Sequence, residues 1–587
     1  MNKNNSYRLL LAFLCLCQNN LFSKEDEESL SDDLEVVFVP QEKIKNHNLN
    51  ATLNKHSIFY IPLIASANNK VTSRQLGFNK NDFGGYLYGL SEEKLGISNP
   101  INSFLFSAKN LDYLASSTYL DLTDRLHKEF NTYFGYGLYN TLRAASSLNI
   151  PIDAYSSLFL ATSIDSYQGN FKYEDYQLNK PVAMSRKNND QHIFKVIARY
   201  NRETAEEKLL ASFMSNIHEG GVEGYTYNPL SLRAFNINTG VNSEFEKIIK
   251  DTRLKITTSH VFFEQYTSQN LNKNSDFMQT SHDLIAKFQP LKFPSFLAME
   301  FGQKILFERE YINSINRFGL GFLMERNMQF FSPLNPNLHA KFDMTAYHNE
   351  DILFNKQVSF SIEPTHFINT SINYIKIGRV PSLLEMYGNN AFFVANKNLE
   401  SESIYQISLN NHVKAHKMIN IDANLFFDII KNSIVYQPYK AKQLIAINSA
   451  KAKKIGAEIG FNFMPLSFMT LSTSNEINFY NKVEKTHKPL PQSSFLKGIG
   501  KLIIGKEDFL SATLQTRYQT QSFFYFEERL RMKPYMLVDL LASYKINKNI
   551  SLSASVENIF NEKGAKNSLY MPIAPLSFFA QINVNMF

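Results

Sequence analysis

Cysteine is nearly missing from the chain: there are two, Cys15 and Cys17, and both lie in the first apolar run. Everything after them lacks the residue. That excludes a disulfide framework, a thiolate metal site and a cysteine nucleophile downstream. Tryptophan is absent altogether. An excess of one charge is also lacking, since 61 Lys and Arg face 54 Asp and Glu over 587 residues. So mild a balance gives no sign of nucleic-acid binding. Beyond residue 23 no apolar run approaches the roughly 18–20 residues of a membrane helix. The motifs H-E-x-x-H, P-loop, G-x-S-x-G and EF-hand do not occur, so no catalytic residue is assigned. No cofactor is indicated either. There is no repeat of fixed period, which argues against a solenoid or propeller.

What is present begins with an export signal. Lys3 and Arg8 precede the short apolar run Leu9 to Cys17, and Leu21 and Ser23 follow. This pattern predicts a secretory signal peptide over 1–23, the alternative being a buried N-terminal helix. Leu14 and Leu16 stand where a lipoprotein anchor at Cys15 or Cys17 needs a small residue.

From about residue 151 the dominant period is two. His192, Phe194, Val196, Ala198 and Tyr200 share one face and Lys195 and Arg199 the other. Val538 to Ile546 and Ile550 to Val556 alternate in the same way around the turn Asn547-Lys548-Asn549. One apolar and one polar face make a strand hairpin. In a soluble sandwich the apolar face points to a core; in an outer-membrane barrel it points to lipid. The 30 Tyr and 49 Phe fit either. Breaker-rich stretches at Gln168 to Arg186, Glu219 to Pro229, Thr267 to Asp276, Pro333 to Pro336 and Glu484 to Gln492 outlast the Asn547 turn. Long loops alternating with short turns favour the barrel. At about 20 residues per strand with half its connections, residues 151–587 fit about 22 strands. The last segment, Phe578 to Met586, alternates too, while Phe587 falls in phase with the polar Asn583 and Asn585.

Several segments, in order, resemble the TonB-dependent receptor family of outer-membrane barrels. Gln168 to Tyr173, Arg186 to Asp190 and Glu219 to Gly224 resemble its early barrel strands. Gly378-Arg379-Val380-Pro381-Ser382-Leu383-Leu384-Glu385-Met386-Tyr387-Gly388 resembles its "FRAPS…ELY" segment. Asn396-Lys397-Asn398-Leu399-Glu400-Ser401-Glu402 resembles its "NPNLKPE" segment. Asn448 to Ala450 with Gly456 to Glu458, and Tyr535 to Asp539 with Val556 to Asn561, resemble later strands. A terminal aromatic such as Phe587 is similar to the signal read by the barrel-assembly machinery.

The resemblance implies an all-β fold: a large antiparallel transmembrane β-barrel at 151–587, with a small α+β plug-like domain at 41–150. Residues 24–40 are then a flexible segment holding a TonB-box-like stretch, Asp33-Leu34-Glu35-Val36-Val37-Phe38-Val39. Its β-prone, apolar character suits strand addition to a partner; an ordinary first strand of a domain is the alternative. Tyr133 to Gly137 and Leu148 to Ile150 fall where plug motifs belong, without the family's "RG", "DG" and "GGVIN" signatures. The implied partners are outer-membrane lipid, an inner-membrane TonB-like complex, the assembly machinery and a small ligand. The implied function is import of a siderophore chelate or cobalamin-like nutrient. A plug-defective passive channel or surface-binding scaffold is the alternative.

Arg379, Glu385 and Glu402 are expected as charges paired within the barrel wall rather than as ligand contacts. Asn558 and Phe560 are expected to fix a strand end. His412 and His416 share a strand face about 13 Å apart, too far for one metal. No histidine lies in 382–395, where haem importers of the family carry one.

Overall fold

The computed structural model describes residues 128–586, apart from parts of the connections between strands. The signal peptide, the segment 33–39, most of 41–150 and Phe587 lie outside the described residues.

Alternating sequences become strands here because each pleat sends successive side chains to opposite faces. Twenty-two of them form one antiparallel sheet in which chain neighbours are sheet neighbours. The first, Glu129–Gly137, also pairs with the last, Ser577–Met586, from Phe130 opposite Met586 to Gly137 opposite Phe579. The sheet is therefore closed, and no edge is left with unpaired amides.

Two departures from the sequence reading follow. The barrel starts at Glu129, not at 151: Glu129–Gly137 and Thr141–Pro151 are its first hairpin. Tyr133 to Gly137 and Leu148 to Ile150 are thus wall strands, not plug. Lys172–Asp175 pairs only with Val182–Ser185, a small hairpin within a connection rather than a wall strand.

The closing seam explains the first departure. A Cβ on Gly135 or Gly137 would overlap the ring of Phe579, which is fully buried. Glycine at these inward positions lets the aromatic ring cross the seam, and it also leaves that face without the polar side chains that mark the alternation elsewhere.

The two ends of the barrel differ. One end is turned by 250–251, 366–367, 417–418, 467–468 and 546–549. Asn547 Oδ1 accepts from the amides of Asn549 at 2.8 Å and Ile550 at 2.9 Å, closing its turn locally. The other end carries 168–190, 380–401, 432–451, 520–534 and 558–576. Residues 330–336, which include Pro333 to Pro336, fall at the short-turn end, against the sequence reading of that stretch as one of the long loops.

The outer face is an apolar band. Phe301 and Ile305, then Phe318, Leu320 and Phe322, then Phe342 and Met344, then Phe354 project outward on four successive strands, all exposed. Among the described residues nothing covers this continuous band, which is suited to lipid. Among the described residues no helix is long and apolar enough to cross a membrane; the strands do so.

Candidate functional site: the inner wall and the long-loop rim

The inward phase of the same strands carries ionised groups, and the barrel pairs them. Lys304 Nζ meets Asp343 Oδ2 at 2.8 Å, two strands away. Its stem crosses Gly321 of the strand between; a Cβ there would overlap it. Arg317 meets Glu308 at 2.9 Å, Lys454 meets Glu476 at 2.8 Å, and Arg517 meets Asp539 at 3.1 Å. These groups are buried, and removing one partner from such a pair leaves a charge that burial makes costly. The arrangement neutralises these charges within the wall.

Arg317 also joins wall to loop. Its second Nη donates to the Pro381 carbonyl at 2.8 Å, and its guanidinium lies 5.9 Å from the centre of the Tyr347 ring. Tyr347 packs with Leu306, Leu353 and Val380. The motif segment is thereby anchored where it leaves the strand Ile368–Arg379.

The motif then builds a cap of its own. Ser382-Leu383-Leu384-Glu385 has the spacing of a capping box. Ser382 Oγ accepts from the Glu385 amide at 3.1 Å, and Glu385 Oε2 accepts from the Ser382 amide at 2.7 Å. This starts the short helix Leu383–Tyr387. The Glu385 carbonyl accepts from the Asn396 amide at 3.1 Å, and Asn396 Nδ2 donates to the Ala446 carbonyl at 2.8 Å. Asn396 Oδ1 accepts from the Asn398 amide at 3.1 Å. Leu399 packs with Ile434, Ala446 and Met386. Glu402 accepts from the Ile434 amide at 2.8 Å. Two long connections, 380–401 and 432–451, are thus tied into one body, with Phe393–Val394, Gln443–Asn448 and Ile434–Lys440 as a three-stranded sheet.

Pro381, Ser382, Glu385, Asn396, Asn398 and Leu399 are therefore one assembly. Arg379 stands opposite Glu402 in register. Glu385 and Glu402 each accept a hydrogen bond from a backbone amide. Asn558 lies elsewhere on the rim. At a φ of 50° it ends the strand Ile550–Glu557, its amide donates to Asp539 at 2.8 Å, and its side chain brackets the Glu562 backbone. Phe560 is 70% exposed.

The wall pairs were missed in the sequence, although Glu300, Lys304, Glu308 and Glu310 share one phase of a single strand. That phase was the available signal; the partners depend on the register of neighbouring strands, and for Lys304 on a strand two away. His412 Nδ1 lies 2.6 Å from Asp422 Oδ1. Among the described residues no group of three or more His, Cys, Asp or Glu is placed to hold a metal ion. At the rim, Lys453 and then Lys451 hold the exposed Glu484 carboxyl below its ordinary value.

Comparison with known proteins agrees with this geometry. None of the curated protein sequences compared matches the chain. Among solved structures, a mutant of the ferric enterobactin receptor of Pseudomonas aeruginosa superposes with a TM-score of 0.63 at 13% identity, over 78% of this chain and 80% of that one. A copper transporter gives 0.60 at 12% identity, over 78% and 80%. A siderophore receptor of Acinetobacter baumannii gives 0.60 at 11%, again over 78% and 80%. At such identities the likeness is one of fold. The family model for the TonB dependent receptor-like β-barrel matches residues 129–559, from the first wall strand to the turn at Asn558. With that match over most of its length and a closed 22-stranded barrel, the chain belongs to the TonB-dependent receptor family of the bacterial outer membrane.

Proposed function

We propose that the protein imports a scarce chelated nutrient, a siderophore chelate or a cobalamin-like compound, with energy from the inner-membrane TonB complex. The observation that carries this reading is the family's barrel bearing a braced set of long connections at one end. Such connections suit capture of a ligand too large or too rare for a passive pore. The ferric enterobactin and siderophore receptors among the similar folds favour an iron chelate. No covalent chemistry is required. Residues Asp33 to Val39 are the segment proposed to add as a strand to the energising partner. Insertion by the barrel-assembly machinery belongs to the same proposal.

The test uses cells in which this chain is the sole receptor, with radiolabelled ferric catecholate and cobalamin as probes. Deleting residues 33–39 should abolish uptake while cell-surface binding persists. Uptake unchanged by the deletion overturns energised import. The missing plug signatures within 41–150 favour one other reading, a passive channel or surface-binding scaffold. A large steady conductance of the full mature chain in planar bilayers would support the channel, and a closed barrel would support import.

A further inference from the structure

Among the described residues, one group of charges on the outer wall has no counter-charge within ion-pair distance. Lys356, Lys376 and Lys431 lie on three strands toward the long-loop end: Ile352–Thr365, Ile368–Arg379 and Ile419–Lys431. They share the outward phase of Phe354, Ile372 and Leu425, which are exposed. Lys356 and Lys376 are direct cross-strand partners.

Their neighbours are rings. Lys356 Nζ lies 5.2 Å from the centre of the Tyr374 ring. Lys376 Nζ lies 6.0 Å from the centre of Phe354 and 5.7 Å from that of Tyr405. Lys431 Nζ shares Tyr405 from 4.9 Å. Among the described residues none of the three has a carboxylate within ion-pair distance. Nearby Lys453 differs, since Glu484 meets it at 2.8 Å.

Like charges directly opposed across two strands repel. On the inner wall every comparable lysine described above has its acid. Here, among the described residues, nothing supplies the anion. Apolar side chains continue below the lysines, with Ile372 and Ile407 at 55% and 53% exposure. Ammonium groups on long stems above an apolar floor, beside tyrosine rings, have the layout of a lipid headgroup boundary.

We propose that this patch seats a phosphorylated lipid of the outer leaflet. Its phosphates bridge Lys356, Lys376 and Lys431, and its acyl chains lie over Ile372 and Ile407. Charge complementarity singles out a phosphorylated headgroup over a neutral one.

The experiment is native mass spectrometry of the purified full mature chain. The probes are bisphosphorylated lipid A and the same lipid without its phosphates. Wild type should retain the phosphorylated lipid, and added salt should strip it. K356Q/K376Q/K431Q should retain it at least tenfold less, with folding checked by heat-modifiable gel mobility. The Lys→Arg triple variant should retain it, as should K548Q at the opposite end. Equal retention by the glutamine triple variant overturns the proposal. Equal retention of the dephosphorylated lipid does so too. Displacement by millimolar inorganic phosphate would assign the patch to a free anion and overturn the lipid reading. Should the triple variant fail to fold, the wild-type contrast between the two lipids decides alone.

Discussion

On the strand Glu402–His416, Gln406 and Ser408 are buried toward the interior, while Ile407 between them stands 53% exposed on the outside. The same contrast recurs around the barrel. The inner wall buries lysines and arginines against acids, and the outer wall leaves phenylalanine, leucine and isoleucine uncovered. One backbone thus satisfies two solvents, because a strand's period lets it present opposite chemistry on its two faces. Each face also fails differently. An inner substitution costs through an orphaned charge, and an outer one costs through lipid.

The largest effect is expected from breaking an inner pair. Lys304→Met leaves Asp343 buried without its cation and should cost about 3–5 kcal/mol. Adding Asp343→Leu should recover most of that, as measured by urea unfolding of the barrel in lipid vesicles. If the single variant costs nothing, the inner wall is not held by its pairs. Next comes the outer wall. Leu320→Arg, in the apolar band, should cost about 2–4 kcal/mol in the same assay, the range for arginine at a bilayer midplane. A neutral result would mean that this surface does not meet lipid. The smallest effect should be local to the rim. Ser382→Ala removes the cap of Leu383–Tyr387 at about 1 kcal/mol. Faster amide hydrogen exchange is expected across 380–401, with the wall strands unchanged.

Much of the wall could be read from the sequence because period two needs no partner to be visible. The strand number followed from length, and the motif order pointed to the family. What failed to show was whatever depends on contacts distant in sequence. The hairpin Glu129–Gly137 and Thr141–Pro151 was masked because Gly135 and Gly137 make room for Phe579, a residue some 440 positions later. The reach of Lys304 to Asp343 over Gly321 needs the register of three strands. Glu385 was legible as a conspicuous acid in a motif. That it closes a capping box follows from the helix at Leu383, which the strand-like surroundings concealed. The outward lysines stood in plain view as single letters; only the closed sheet sets Lys356 beside Lys376.

The most direct test of the two-faced wall is a run of single nitroxide labels at consecutive positions 405–410, with the protein in bilayers. Collision with oxygen, which concentrates in lipid, should be high at Tyr405, Ile407 and Leu409 and low at Gln406, Ser408 and Asn410. Uniform values along the run, or alternation in the opposite phase, would contradict a membrane barrel with this orientation.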